Sequence, residues 1–119
     1  MSTKSDSLKE KLTENFSEFS QLSDYSFMNS LKADPQSTND GNDHKSRSVY
    51  SGHYVPVLPK AIPEPEYISH SNKLFKELGL SSDLTKDQNF CRFFSGDISV
   101  ADYPMSPVGW ATGYALSIY

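Results

Sequence analysis

The sequence predicts an α+β chain of short helices with one or two short edge strands, preceded by a largely disordered leader. Three observations predict it. Ser71 to Leu80 carries the start and stop signals of one small helix. Val49 to Leu58 is rich in β-branched and aromatic residues, yet Pro56 interrupts it and Pro59 follows. The first half is dominated by Ser, Thr, Asn, Asp and Lys, and the apolar share of the whole chain is only 36%. Globular chains usually reach ~45–50% on a count that includes Gly.

The elements follow from local rules. Leu8, Leu12, Phe16, Phe19 and Leu22 recur at spacings that place them on one helical face, and Ser7-Leu8-Lys9-Glu10 fits a capping box. A helix over residues 8–22 is therefore predicted within a polar leader, residues 1–24. It either frays in that mobile leader or docks on a partner. Residues 25–119 form the body, in which 33–48 is a flexible loop: Asp34-Pro35 and Asn39-Asp40-Gly41-Asn42-Asp43 are turn formers with almost nothing to bury. Order is expected from Val49. The prolines confine residues 53–58 to an edge strand or a polyproline-like path. Pro63-Glu64-Pro65 stiffens the next turn, and Tyr67-Ile68 is a candidate brief strand.

Ser71 caps a helix ending at Leu78, with Gly79 as the left-handed residue beyond it and Leu80 packing back on Phe75. A second helix is predicted from about Lys86 to Phe94. Thr85-Lys86-Asp87-Gln88 supplies its capping box, Phe90, Phe93 and Phe94 its apolar stripe, and Gly96 its end. Residues 97–107 read as a loop holding Pro104 and Pro107. From Val108 onward a helix, or a helix entering a strand, is expected. Its apolar pattern reaches Tyr119 without a stop signal, which reads as a fragment of a longer protein. In such a fragment Trp110, Tyr114, Leu116 and Ile118 are expected to be exposed, leaving the chain partly ordered and prone to aggregate.

Composition excludes several function classes. A length of 119 residues suits one domain. A net charge of −4 gives a phosphate backbone little to bind, and the cluster His44-Lys45-Ser46-Arg47 reads as solvated loop, so nucleic-acid binding is disfavoured. The single cysteine, Cys91, rules out an intramolecular disulfide and favours a reducing compartment. The sequon Asn15-Phe16-Ser17 would matter only in a secreted protein. No apolar run approaches the ~18–20 residues of a membrane span. Gly109-Trp110-Ala111-Thr112-Gly113 fits GxxxG, but outside such a span it means close packing. The start lacks the apolar region of a signal peptide. It is also unlike a mitochondrial presequence, having no Arg in residues 1–30 and acids at Asp6, Glu10, Glu14, Glu18 and Asp24. An intracellular, soluble protein is expected.

No active site can be assembled from these residues. His44, His53 and His70 lie far apart, without metal-ligand spacing. Ser51-Gly52-His53 lacks the Gly-x-Ser-x-Gly elbow and a partnered acid. Cys91 lies beside the phenylalanine stripe and reads as a buried, inert thiol. Glu64, Glu66, Glu77, Asp83, Asp87, Asp97 and Asp102 form no acid/base pair signature. Neither a Walker loop nor a Gly-x-Gly-x-x-Gly is present.

Several stretches do carry a resemblance when taken in order. Tyr25-Ser26-Phe27-Met28-Asn29-Ser30-Leu31-Lys32-Ala33-Asp34-Pro35 resembles the N-terminal phenylalanine-centred motif of the selenoprotein O family. Val49-Tyr50-Ser51 through Val55-Pro56-Val57-Leu58-Pro59 resembles its first extended segment. Ser71 through Leu80, Phe93-Phe94-Ser95-Gly96-Asp97 and Gly109-Trp110-Ala111-Thr112-Gly113 through Tyr119 continue in the family's order. The resemblance covers residues 25–119.

It implies the incomplete N-terminal edge of a protein-kinase-like domain, from enzymes that transfer AMP from ATP, with magnesium, onto Ser, Thr or Tyr of target proteins. Family members are often mitochondrial in eukaryotes, and some carry selenocysteine near the C-terminus. The family's Gly-Asp-Gly-Arg strand, its phosphate-binding Lys and arginines and its metal-binding Asp/Asn pair have no match within these residues. No catalytic, cofactor-binding or metal residue is therefore carried over, and the fragment itself is expected to be inactive, with the rest of the domain as its partner. The other expectation is a non-catalytic interaction module or a regulatory short form.

Overall fold

In the computed structural model, residues 11–38, 40–42 and 49–118 are described, the side chains of 117 and 118 excepted. Among the described residues, five short α-helices and one two-stranded antiparallel sheet make an α+β fold. Helices α1 (Phe16–Ser20) and α2 (Ser26–Asn29) precede strand β1 (Val55–Val57). Helix α3 (Asn72–Leu78), a 3-10 turn (Ser82–Lys86) and helix α4 (Gln88–Phe93) follow. A second 3-10 turn (Ile98–Val100), strand β2 (Gly109–Ala111) and helix α5 (Gly113–Ile118) complete the order. No helix among the described residues is long and apolar enough to cross a membrane.

Helix α3 forms as its local signals require. Ser71 accepts the Leu74 N–H on its hydroxyl at 3.1 Å, meeting one of the orphan donors of the first turn. At the other end Gly79 has φ 72°, Leu80 N–H donates to Phe75 C=O at 2.8 Å, and Gly79 N–H donates to Lys76 C=O at 3.3 Å. This double bond pattern is the Schellman ending. It folds Leu80 back so that Phe75, Leu80 and Leu84 form the buried cluster, with Phe19 and Phe90 packed against it.

Helix α4 starts later than its apparent capping box. Ser81 caps a 3-10 turn first, which consumes residues 82–86, and the Thr85 hydroxyl donates to Ser82 C=O instead of capping a helix. Asp87 is the cap: its Oδ1 accepts the Asn89 N–H at 2.9 Å. The helix ends at Phe93, and Gly96, φ 97°, closes the turn beyond it as expected.

The leader departs furthest from expectation. The Ser7 capping box and residues 8–10 lie outside the described residues; of residues 11–22, only Phe16–Ser20 is helical. Thr13 is extended, because the chain turning out of α3 offers it free backbone groups. Thr13 N–H donates to Gly79 C=O at 3.0 Å, and Ser81 N–H donates to Thr13 C=O at 2.8 Å. Asn15 then caps α1 by accepting the Glu18 N–H at 2.9 Å. Phe16 is only 2% exposed and its ring lies 5.5 Å from that of Phe93. Residues 11–22 are thus a strap sharing the core of the body, and the disordered leader does not hold for them.

The 33–48 loop is likewise tied down at its start. Ala33 bridges Tyr54, Asp34 N–H donates to Tyr54 C=O at 2.8 Å, and Lys32 N–H donates to His53 Nδ1 at 3.0 Å. Residues 39 and 43–48, with His44, lie outside the described residues.

Strand β1 pairs with β2 in the register Val55↔Ala111, Pro56↔Trp110, Val57↔Gly109. Pro56 has no N–H to give, and a sheet two strands wide tolerates it. The terminal segment is a strand entering a helix, the reverse of the order expected, because β1 supplies a ladder partner that local pattern does not reveal. Tyr67-Ile68 forms no strand. A side chain at Gly109 would meet Val57 C=O at 3.0 Å, and one at Gly113 would meet Val49 Cβ at 3.1 Å. Close packing therefore explains the GxxxG spacing. Trp110 and Tyr114 are exposed as expected, but Leu116 is buried.

Candidate functional site

Two concave regions flank the strap, and they differ in chemistry. The first is an aromatic groove of about 520 Å³ between the 66–70 segment, α3 and α4. Phe19 reaches it from the strap, Leu74 and Leu78 from α3, Phe90 and Phe94 from α4 and its end. Phe94 lies 4.8 Å from Phe90 and 6.0 Å from Phe19, measured between ring centroids. His70 packs at a tilt against Phe75, with ring centroids 4.3 Å apart, and its Nδ1 is paired with the Tyr67 hydroxyl. Its Nε2 is buried without a hydrogen-bond partner. Ile68 is 86% exposed and Phe94 63% exposed, so the groove opens onto an apolar surface.

The second region is polar, about 400 Å³, bordered by Asn15, Ser17, Asp87, Asn89 and Asp102. Its carboxylates are already engaged in holding the strap. Asp87 Oδ2 accepts the Phe16 N–H at 2.7 Å, and Asp102 Oδ2 accepts from the Ser17 hydroxyl at 3.3 Å. Asp87→Asn keeps a side chain of the same shape but presents an amide N–H₂ or loses one acceptor. It is expected to cost about 1–3 kcal/mol by leaving a part-buried donor unpaired. Thermal unfolding checks this: the midpoint should fall by at least about 5 °C, while Ser17→Ala, at an exposed bond, should shift it little.

Of the histidines and acids raised by the sequence, Asp87 and Asp102 border the polar region and Glu66 and His70 the aromatic groove. Among the described residues no group of three or more His, Cys, Asp or Glu is placed to hold a metal ion. His53 is a turn residue, bonded to Lys32. Asp97 caps the 3-10 turn after α4 through Ser99 N–H, and Asp83 pairs with Lys86 on the surface. Cys91 is half-buried and borders the aromatic groove.

Three carboxyls sit below their ordinary range, each first because of a backbone N–H. Glu14 N–H holds Glu18, aided by Lys11; Ser26 N–H holds Asp24; Asn42 N–H holds Asp40. All three are capping or turn groups that line neither concave region, which gives them a structural role. Comparison with protein-family models, curated proteins and solved structures returns no match to this chain.

The groove escapes sequence reasoning because its walls come from four separated segments. One signal was legible: a six-residue helix cannot itself bury Phe90, Phe93 and Phe94, so aromatic partners had to come from elsewhere.

Proposed function

We propose that this chain is the N-terminal part of a protein adenylyltransferase of the selenoprotein O type, with a protein-kinase-like fold. The observation that carries the reading is the convergence of the resembling stretches. Tyr25, from the first, packs at a tilt of 59° against Trp110, from the last, with ring centroids 5.8 Å apart, and its hydroxyl accepts the Ser106 N–H at 2.8 Å. The second stretch supplies β1, which pairs with Gly109–Ala111. Stretches that share one family's order thus meet around one small sheet, as expected of a scaffold edge.

In such an enzyme a hydroxyl oxygen of the target protein attacks the α-phosphorus of ATP and pyrophosphate leaves. Backbone amides, Arg or Lys, and a magnesium ion must carry that charge. The Gly-Asp-Gly-Arg strand and the acidic metal ligands of the family are not in this sequence, so no step falls to a residue here. What these residues would contribute is the edge on which the nucleotide-binding part is built, the catalytic remainder being the partner. The same resemblance argues for an intracellular enzyme, mitochondrial in eukaryotes, against the acid-rich and arginine-free start.

Calorimetric titration of the 119-residue chain with Mg·ATP should give no specific micromolar signal. The chain extended by its downstream coding sequence should transfer labelled AMP to a protein acceptor. ATP binding by residues 1–119 alone would overturn the reading, as would a stop codon directly after Tyr119 in mature transcripts. A second reading, a non-catalytic interaction module, is favoured by the exposed apolar surface at Ile68 and Phe94.

A further inference from the structure

We propose that the aromatic groove binds a hydrophobic organic cation, an ammonium group bearing an apolar arm. Its volume of about 520 Å³ suits a small ligand. Among the described residues Glu66 is the only one lining the groove with a formal charge, and no Lys or Arg lines it.

The rings supply the second attraction. Phe94 is tilted 54° against Phe90 and 61° against Phe19. Phe94, 63% exposed, offers an open ring to a cation. Leu74 and Leu78 offer an apolar wall for the arm. The imidazole of His70 is turned to Tyr67 and Phe75, with Nε2 buried, so it gives no donor for an anion. A ligand of negative charge would meet a carboxylate and electron-rich rings. The groove shares no residue with the β1–β2 side, and the inference stands apart from the adenylyltransferase reading.

The test compares hexyltrimethylammonium, hexyl sulfate and 1-hexanol, which share one arm and differ in head charge. Binding to the 119-residue chain is followed through the aromatic NMR signals of Tyr67 and Phe94. The ammonium should saturate, at least about ten-fold tighter than the sulfate. Phe94→Leu keeps apolar bulk but removes the ring, and should weaken the ammonium about five-fold while leaving hexanol within about two-fold. Glu66→Gln, at an exposed site that cannot disturb folding much, should weaken it about two- to three-fold. Absence of saturation by the ammonium, equal binding of the sulfate or hexanol, or an unchanged preference in Glu66→Gln would overturn the proposal.

Discussion

Phe16→Ala is expected to remove about 3–5 kcal/mol of stability, the largest loss from any single truncation in the chain. Phe16 is 2% exposed, packs on Phe93 and Phe19, and has its own N–H fixed by Asp87. Truncation would open a cavity that the strap cannot close, since Thr13 is pinned on one side and Gln21, bonded to Tyr103 C=O, on the other. Only six apolar residues are buried among those described: Phe16, Val55, Phe75, Leu80, Leu84 and Leu116. With so small a core, total stability should lie near the low end of the ~5–15 kcal/mol range, and the variant should be largely unfolded near body temperature. Urea denaturation monitored by near-UV circular dichroism measures it. Leu12→Ala, at an exposed position of the same strap, should cost under about 0.5 kcal/mol. If Phe16→Ala costs no more than Leu12→Ala, residues 11–22 do not share the core.

Why the strap was misread while α3 was not is a matter of range. Every signal for α3 lies within ten residues: the Ser71 cap, the Leu74 N–H, the Gly79 turn and the return of Leu80 onto Phe75. The strap's conformation depends on Gly79 C=O and Asp87, bonds that span most of the chain. The spacing of Leu12, Phe16 and Phe19 is equally satisfied by a long helix and by a short helix preceded by an extended residue. Tertiary hydrogen bonds chose the second. The α4 cap failed in a milder way, because Thr85 and Asp87 both satisfy cap chemistry and the upstream Ser81 turn decides between them. The strand at Val55 was legible from composition, but its partner at Gly109–Ala111 was not: Trp110 favours a strand, the glycine and alanine beside it do not, and the pairing is long-range. The candidate groove was least legible of all. It exists only after strap, 66–70 segment, α3 and α4 have met.

Gly96→Ala should be strongly damaging, and Gly79→Ala isolates the reason. Both glycines follow a helix with positive φ, 97° and 72°, so each alanine pays the left-handed penalty of about 1–2 kcal/mol. Around Gly79 the added methyl meets nothing within 4 Å. At Gly96 it would stand 2.5 Å from Lys60 C=O, 3.2 Å from Lys60 C and 3.3 Å from Ala61 Cα. These are backbone atoms, which cannot swing aside as a side chain end can. Relief requires the 60–62 segment to withdraw, breaking the bond from Ile62 N–H to Ser95 C=O at 2.9 Å. Overpacking of this kind adds about 1–3 kcal/mol, so Gly96→Ala should cost clearly more than Gly79→Ala in the same denaturation experiment. The segment displaced leads directly into residues 66–70, which wall the aromatic groove. Gly96→Ala should therefore also perturb the NMR signals of Tyr67, whereas Gly79→Ala should leave them in place. Equal costs for the two variants would mean that the turn after α4 does not press against the 60–62 segment, and the groove would lose the contact that fixes its outer wall.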